Sequence, residues 1–509
     1  MTRRSLRSTA LLLATVPWAA LIVVALLVIA FLSAALLLAG CTVGPDYRRP
    51  AVAVPPDFRG GPPGTAESLG DVAWWKIFQD ETLQSLIRTA LAENYDLRIA
   101  AARILEARAQ VTIVRSAQFP DVSASASAPY VSLPGDRTPF QSRETFTPLG
   151  TFDLVWELDL WGRLRRATEA ARAQLLASED VQRFVVTTLV SDVATAYFQL
   201  RELDLELEIS RRTLTTRQEA VRLVTLRYQG GVAALIDLRQ AEVLLYTAAA
   251  TIPDVMRRIE QTENLISVLL GRNPAAVPRG RPLLQQFSGP IVPPGLPATL
   301  LERRPDVRQA EDELAAATAR IGVAKAEYFP KVSLIGSAGV GGTLITGSWF
   351  GPTGLLAIGP QVSMPIFNMG RVGAGVDSAV AQAQAALARY QQTIQQAFRD
   401  VSDALVEHRK RREARIEQQA LVNSLTDAAR LANVRYRGGV TSYLEVLDTE
   451  RQLFDAELNL ARTQRDELLA VVLLYRALGG GWMVEQPPAA ASHEQGGETV
   501  VVNDRKGSR

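Results

Sequence analysis

The chain contains the same glycine-containing phrase twice, and this repeat constrains its fold more than any other feature. Residues 226–245 read LRYQGGVAALIDLRQAEVLL, and residues 434–453 read VRYRGGVTSYLEVLDTERQL. An offset of 208 positions aligns seven identical residues, which in the first copy are Arg227, Tyr228, Gly230, Gly231, Val232, Glu242 and Leu245. The same offset sets Asp237 against Glu445. Self-similarity at one offset indicates that two parts of the chain share one architecture.

Each copy of the phrase ends a long segment that has neither glycine nor proline. These segments are predicted as helices over residues 163–228 and 376–437, and a second helix follows each of them, at 235–270 and 442–478. A helix of 66 residues is about 100 Å long, far beyond the mean globular helix of about 11 residues. Only a coiled or barrel-like assembly of helices can use such a length. Pro253 is expected to kink or break the helix over 235–270.

Before each long segment, the apolar periodicity changes from helical to alternating. Helices are predicted at residues 80–119 and 303–329, and β-hairpins follow them at 121–160 and 331–367. Within the first hairpin, the stretch TFDLVWELDL places apolar and acidic residues on opposite faces of a strand. Strands of about 10 residues have the length that a tilted strand needs to cross a bilayer.

The strands of one chain are too few to close a membrane barrel. Two hairpins supply four strands, whereas the smallest known barrels have about eight. Closure therefore requires more than one chain, and three copies give about twelve strands, a common barrel size. The pattern predicts a mixed α and β membrane protein with two structural repeats per chain. The strand count demands an oligomer and permits a homotrimer, in which a 12-stranded β-barrel would continue into a long α-helical barrel.

The predicted organisation of the chain has five parts. They are a leader at residues 1–40, an extended tether at 41–79, the first repeat at 80–287, the second repeat at 288–480 and a disordered tail at 481–509.

The only cysteine closes the apolar leader. Arg3, Arg4 and Arg7 precede a mostly apolar run that ends in Leu-Ala-Gly-Cys at Cys41. This tetrapeptide resembles the lipobox of bacterial lipoproteins, so residues 1–40 are predicted to be a signal peptide and Cys41 to carry a covalent lipid. The apolar run is longer than an ordinary signal core. The alternative is therefore a transmembrane helix in which the cysteine is incidental.

Composition argues against several classes of function. The chain has 55 basic and 53 acidic residues, and it shows no basic stripe interleaved with aromatic residues that would indicate nucleic acid. One cysteine and two histidines leave too few groups for a metal cluster or a nucleophile–histidine pair. Walker and dinucleotide glycine loops are absent from the sequence. We therefore expect no enzyme activity, no metal and no cofactor besides the lipid.

Several motifs together resemble the TolC-like outer-membrane efflux channels, in their lipidated OprM/NodT branch. They are LAGCTVGPDY, WWKIFQDETLQSLI, WELDLWGRLRRATEAA, LPATLLERRPDVRQAE, AEYFPKVSL and the two RY–GGV turns, and they extend from Cys41 to about Gly480. The resemblance implies a lipid-anchored homotrimer in the outer membrane with a periplasmic extension. Such a trimer docks on a periplasmic adaptor and an inner-membrane pump of the resistance–nodulation–division type, and it acts as their exit duct. The alternatives are the duct of a type I protein-secretion system or an inner-membrane-anchored coiled-coil scaffold.

The resemblance also implies a gate at the periplasmic tip. It makes the two glycine phrases the tip turns, at Gly230, Gly231, Gly438 and Gly439, although ordinary helix-to-helix turns need the same glycines. It places the constriction at Leu444 and Asp448, with another acidic position at Glu445, and it pairs Asp237 with Tyr436 across neighbouring helical hairpins. The alternative is that the three acidic residues are solvated surface charges.

Overall fold

The computed structural model describes residues 42–59, 61, 68–132, 144–286, 295–345 and 348–482. The helices are α1 (Trp74–Ile77), α2 (Glu81–Glu93), α3 (Tyr95–Ser116), α4 (Arg163–Gln229), α5 (Leu235–Leu269), α6 (Pro297–Arg303), α7 (Pro305–Ala326), α8 (Arg371–Arg437) and α9 (Tyr443–Ala477). The strands are β1 (Asp121–Ser127), β2 (Tyr130–Ser132), β3 (Glu144–Phe146), β4 (Leu149–Leu158), β5 (Lys331–Ile345) and β6 (Ser348–Ser363). The predicted signal peptide, Cys41 and residues 483–509 lie outside the described residues.

The two long helices, α4 and α8, each contain 67 residues, and the helices that follow them, α5 and α9, each contain 35. Gly162 and Gly370 precede the long helices with φ values of 79° and 80°, a left-handed conformation that favours glycine. The second long helix begins at Arg371 and not at residue 376, so the prediction of its start was wrong. Two glycines in its first turns cost about 1 kcal/mol each relative to alanine, which a helix of this length easily tolerates.

The helix predicted over residues 80–119 is in fact two helices, α2 and α3, that meet at Asn94. The Asn94 side chain accepts hydrogen bonds from the first N–H groups of α3 and donates one to the carbonyl of Leu269, 2.9 Å away at the end of α5. The helix predicted over 303–329 is likewise divided, at Arg304, whose guanidinium donates to the carbonyl of Ala477 at the end of α9. Both breaks therefore join a helix start to the end of a distant helix.

Of the two outcomes predicted at Pro253, a kink or a break, the break does not occur. Helix α5 runs through it without interruption from Leu235 to Leu269. Pro253 is exposed. The carbonyl that loses its N–H partner therefore lies on a side of the helix that water can reach.

The strands form one antiparallel sheet with four arms. The first arm consists of β1 and β2, the second of β3 and β4, and the third and fourth are β5 and β6. The predicted first hairpin is therefore less regular than expected, because Pro129 and Pro148 interrupt its arms and cannot donate to a ladder. The second hairpin has long strands with a single register irregularity between Gly341 and Thr343.

The predicted tether over 41–79 contains a segment that belongs to the core. Leu69, Trp74, Ile77 and Phe78 are buried among the middle parts of the long helices. Phe58, earlier in the tether, is buried in the same core and contacts the Phe398 ring. The start of the tether lies beside the sheet, where the N–H of Val43 donates to the carbonyl of Trp161 at 3.0 Å. Within the described residues, no helix is both long enough and apolar enough to cross a membrane.

Candidate functional site

The sheet has one face composed almost entirely of apolar residues. In the pairing between β4 and β5, Phe152 lies opposite Ala338 and Trp156 lies opposite Leu334. In the pairing between β5 and β6, Ala338 lies opposite Leu356. The Leu356 side chain is 82% exposed in the single chain. A continuous exposed apolar face of this kind needs lipid or another protein to cover it.

The opposite face of the same sheet carries a polar cluster among apolar residues such as Val155, Ile335 and Leu355. Asp153 on β4 accepts hydrogen bonds from Ser337 on β5 at 2.8 Å and from Ser125 on β1 at 2.9 Å. Thr151 also donates to Asp153, at 2.9 Å. An apolar face, an opposite face with a polar cluster and a continuous hydrogen-bond ladder suit a barrel wall between lipid and an aqueous lumen.

Among the described residues, each layer of the molecule has edge elements that pack mainly against one neighbour. In the sheet, β5 pairs with both β4 and β6, whereas β1 pairs with β4 and β6 pairs with β5. Among the helices that lead into the sheet, α7 packs against both α4 and α8, whereas α3 packs against α4. Lower down, α9 packs extensively against α8 and α4, whereas α5 packs mainly against α4. In the part of the chain that the structure describes, β1, α3 and α5 of the first repeat therefore each have one main neighbour, and β6 of the second repeat also pairs on one side.

The two glycine phrases form the turns at the far end of the helical hairpins. Gly231 and Gly439 have φ values of 72° and 70°, whereas Gly230 and Gly438 are not left-handed. The N–H groups that follow close each helix in the Schellman pattern, since Val232 donates to the carbonyl of Arg227 and Val440 to that of Arg435. Only the second glycine of each pair therefore needs the left-handed conformation.

Tyr436 lies between the two helical hairpins of one chain, α4 with α5 and α8 with α9. The guanidinium of Arg227, on the first hairpin, lies 4.6 Å from the centroid of the Tyr436 ring, and the Tyr443 ring lies 5.0 Å away. The Tyr436 hydroxyl is buried and has no hydrogen-bond partner among the described residues. Burial raises the pKa of Tyr436, the Arg227 guanidinium lowers it and the Asp237 carboxylate raises it.

Asp237 does not bond to Tyr436 in the single chain. Its carboxylate accepts instead from the backbone N–H of Ala234, 3.3 Å away, at the start of α5. The contact between Arg227 and the Tyr436 ring joins the two helical hairpins, and the sequence did not predict it. The repeat gives no sign of this contact, because the residue equivalent to Arg227 in the second repeat, Arg435, forms an ion pair with Glu445 of its own helical hairpin at 3.3 Å.

The remaining predicted gate residues lie together on the first two turns of α9. Leu444 is 61% exposed. Glu445 contacts Arg435 and Thr441, and Asp448 contacts Arg451 at 2.9 Å and Gln452 at 2.6 Å. Each carboxylate therefore has a cationic neighbour within its own chain. Among the described residues, no group of three or more His, Cys, Asp or Glu side chains is arranged to hold a metal ion.

The family model described as outer membrane efflux protein matches residues 86–272 and 296–480. The chain belongs to this family. The outer membrane efflux proteins are channels and not enzymes, and this member is accordingly an outer-membrane protein. The resemblance inferred from the motifs is confirmed.

Relatives and solved structures agree with the family assignment. The solvent efflux pump outer membrane protein SrpC of Pseudomonas putida is 38% identical over 455 residues, which cover 88% of this efflux protein and 97% of the relative. The cation efflux system protein CusC of Escherichia coli is 34% identical over 453 residues, covering 88% and 97%.

Two solved channels have the same fold as this efflux protein. The outer-membrane channel OprN superposes with a TM-score of 0.78 at 34% identity, covering 87% of this chain and 100% of that chain. The open state of the MtrE channel of Neisseria gonorrhoeae superposes with a TM-score of 0.78 at 32% identity, covering 87% and 99%.

Proposed function

We propose that three copies of this chain form the exit duct of a tripartite efflux system, through which small molecules leave the cell. The observation that carries this proposal is the open edge repeated in the sheet and in both helical layers. A spanning sheet must pair every backbone group, so the free edges of β1 and β6 have to meet across neighbouring copies. Four arms per chain and three chains give the 12-stranded barrel.

The equal helix lengths support two structural repeats per chain. The bounds of α8 and α9 follow those of α4 and α5 by 208 positions, and those of α7 follow α3 by 210. The continuous helices support a long periplasmic barrel, since 67 residues span about 100 Å. A two-faced sheet has no use in an inner-membrane coiled-coil scaffold, which disfavours that alternative.

The proposal includes a lipid on Cys41, outer-membrane lipid around the barrel, a periplasmic adaptor and an inner-membrane pump of the resistance–nodulation–division type. The residues after Cys41 support the anchor. The buried Arg166 donates to Asp46 at 2.5 Å. The backbone N–H of Val43 donates to the carbonyl of Trp161, three residues after the end of β4. A lipid on Cys41 would therefore enter the membrane beside the barrel.

The efflux function is tested in a strain that lacks this chain but keeps its pump and adaptor. We expect the parent chain to restore export of a fluorescent small molecule, because the relatives are named for solvent and cation efflux. The control is a strain without the pump, in which the chain alone should restore nothing. Restored secretion of a protein without export of the dye would assign the duct to protein secretion instead.

We propose that the tip is a gate. Asp237 and Tyr436 form a latch between hairpins, supported by the unpartnered Tyr436 hydroxyl and its electrostatic contact with Asp237. Leu444 forms an apolar collar, with Glu445 and Asp448 as an acidic ring. The exposure of Leu444 at the start of α9 supports this assignment. In a trimer the two acidic positions place about six carboxylates around one axis.

We expect Tyr436→Phe combined with Asp237→Ala to raise single-channel conductance in planar bilayers. A hydrogen bond to a carboxylate contributes about 1.5–3 kcal/mol, and three symmetric copies multiply the bias toward closure. The comparison variant, Glu445→Gln with Asp448→Asn, keeps side-chain shape and should leave conductance low while abolishing block by multivalent cations. Unchanged conductance in the first variant contradicts the latch, and unchanged block in the second contradicts the ring.

A further inference from the structure

Two glutamates are fully buried where α4 meets α5 and α9. Glu202 and Glu206 stand four residues apart on one face of α4, and their side chains are 0% and 1% exposed. Carboxylates at such positions require either cationic partners or a proton, because an unpaired buried charge is strongly unfavourable.

The two carboxylates are unequally paired. Glu206 receives Arg462 of α9 at 2.6 Å on one oxygen and Arg258 of α5 at 2.9 Å on the other. Glu202 receives only Arg465 of α9, at 3.2 Å, and its second oxygen is buried without a partner among the described residues. Both Glu206 oxygens therefore have an arginine partner, whereas Glu202 has an oxygen that a proton would satisfy.

Arg465 is shared between Glu202 and Asp466, so its ion pair with Glu202 is weaker than an exclusive one. Arg465 also donates to Asp466 at 2.7 and 3.0 Å, and Asp466 in turn pairs with Arg411 of α8 at 3.1 Å. The charged groups facing the pair are thus Arg258 from α5 and Arg462, Arg465 and Asp466 from α9, with Arg411 behind them. Arg411 also pairs with Glu407 at 2.7 Å, so the four arginines are divided among four carboxylates.

We propose that Glu202 and Glu206 form a proton-binding site at this helix joint, and that loss of its proton loosens α9 from α4. Burial and the neighbouring Glu206 carboxylate raise the pKa of Glu202 to about 7. Because the pKa in the folded state lies above the ordinary glutamate value, the folded state binds the extra proton and is favoured by acidification. That contribution is lost as the pH rises through about 7. The joint therefore responds to pH in the neutral range.

The proton is detected directly by infrared spectroscopy of the purified, assembled protein. We expect a band from a protonated carboxylic acid at pH 6 that disappears as the pH rises to 9. The part of this band that Glu202 contributes between pH 6 and 9 should be missing in Glu202→Gln, while any contribution of Asp312, whose pKa burial raises to about 6, should remain. The part from Glu202 should remain in Glu208→Gln, which changes an exposed carboxylate on the same helix. If Glu202→Gln does not assemble, Glu202→Asp should shift the pH midpoint of the band. A band that neither variant alters, or no band in the parent, overturns the proposal.

The mechanical consequence is measured by hydrogen exchange. After correction for the intrinsic pH dependence of exchange, amides of residues 458–470 should exchange several-fold faster at pH 8.5 than at pH 6 in the parent. Residues 443–450 of the same helix serve as the internal reference. In Glu202→Gln, which mimics the protonated acid, the difference should vanish. Equal pH dependence in parent and Glu202→Gln would show that the site does not control the packing of α9.

Discussion

Leu356→Arg is expected to abolish insertion of the protein in the outer membrane, whereas Leu355→Arg, one residue earlier, is expected to leave it inserted. Both residues lie near the middle of β6, and their side chains project to opposite faces of the sheet. Arginine on the lipid face near the bilayer midplane costs about 2–4 kcal/mol, and three copies would multiply this to about 6–12 kcal/mol. On the lumen face, the guanidinium remains in water.

The measurement is the amount of assembled protein in isolated outer membranes, compared with total expression. The two variants add the same side chain to adjacent positions, so differences in expression or net charge cannot explain a difference in assembly. Equal assembly of both variants would mean that the apolar face of the sheet does not meet lipid.

Asp80→Ala is expected to cause the largest loss of stability in the helical body. One Asp80 oxygen caps the start of α2, and the other accepts from Tyr197 at 2.8 Å, Gln286 at 2.7 Å and the backbone N–H of Arg281 at 2.8 Å. Alanine would leave several buried donors without an acceptor, each at a cost of about 1–3 kcal/mol. We expect the free energy of unfolding to fall by about 3–6 kcal/mol.

The thermal midpoint followed by circular dichroism measures this effect, and Glu81→Ala, the exposed neighbour, is the control. Burial alone would raise the pKa of Asp80, but hydrogen bonds from Gln286 and Tyr197 lower it below its ordinary value. The stabilising contribution is therefore present above the ordinary aspartate pKa and is lost only under more acidic conditions. A midpoint for Asp80→Ala that matches Glu81→Ala would show that the network is dispensable.

Local patterns in the sequence predicted the parts of the fold that depend on local chemistry. Alternating residues such as Phe152 and Asp153 indicated the two faces of the sheet, because side chains of a strand alternate strictly. The absence of glycine and proline indicated the long helices. The breaks at Asn94 and Arg304 could not be foreseen, since each depends on a carbonyl more than 170 positions away.

At the tip, two arginines that the repeat aligns make different contacts, which the sequence could not predict. The repeat aligned Arg227 with Arg435, yet one stacks on Tyr436 and the other pairs with Glu445. Equivalent positions in two repeats acquire different contacts when one hairpin has a neighbour in its own chain and the other has an open edge. The gate residues themselves remain predictions, because a ring or latch around an axis is formed by several copies.

Neighbouring copies are expected to close one barrel by pairing β6 with β1. Within one chain, Val155 of β4 lies opposite Ile335 of β5. Adding the repeat offset of 208 to Val155 gives Ser363 of β6, and subtracting the offset of 210 from Ile335 gives Ser125 of β1. If copies meet as the two repeats do, Ser363 of one copy lies opposite Ser125 of the next. The same offsets relate the registers within the two hairpins, since Asp121 pairs with Val155 as Lys331 pairs with Ser363. Cys41 is the only natural cysteine, so introduced pairs can be read without interference once it is acylated.

Disulfide cross-linking of Ser125→Cys with Ser363→Cys in native outer membranes tests this claim most directly. The predicted result is a ladder on non-reducing gels that ends at three chains. Combining Ser125→Cys with Ala357→Cys, on the same face but about 20 Å along the strand, should give no cross-link. Equal cross-linking of both pairs, no cross-link at the predicted pair, or a ladder that continues beyond three chains would contradict the account.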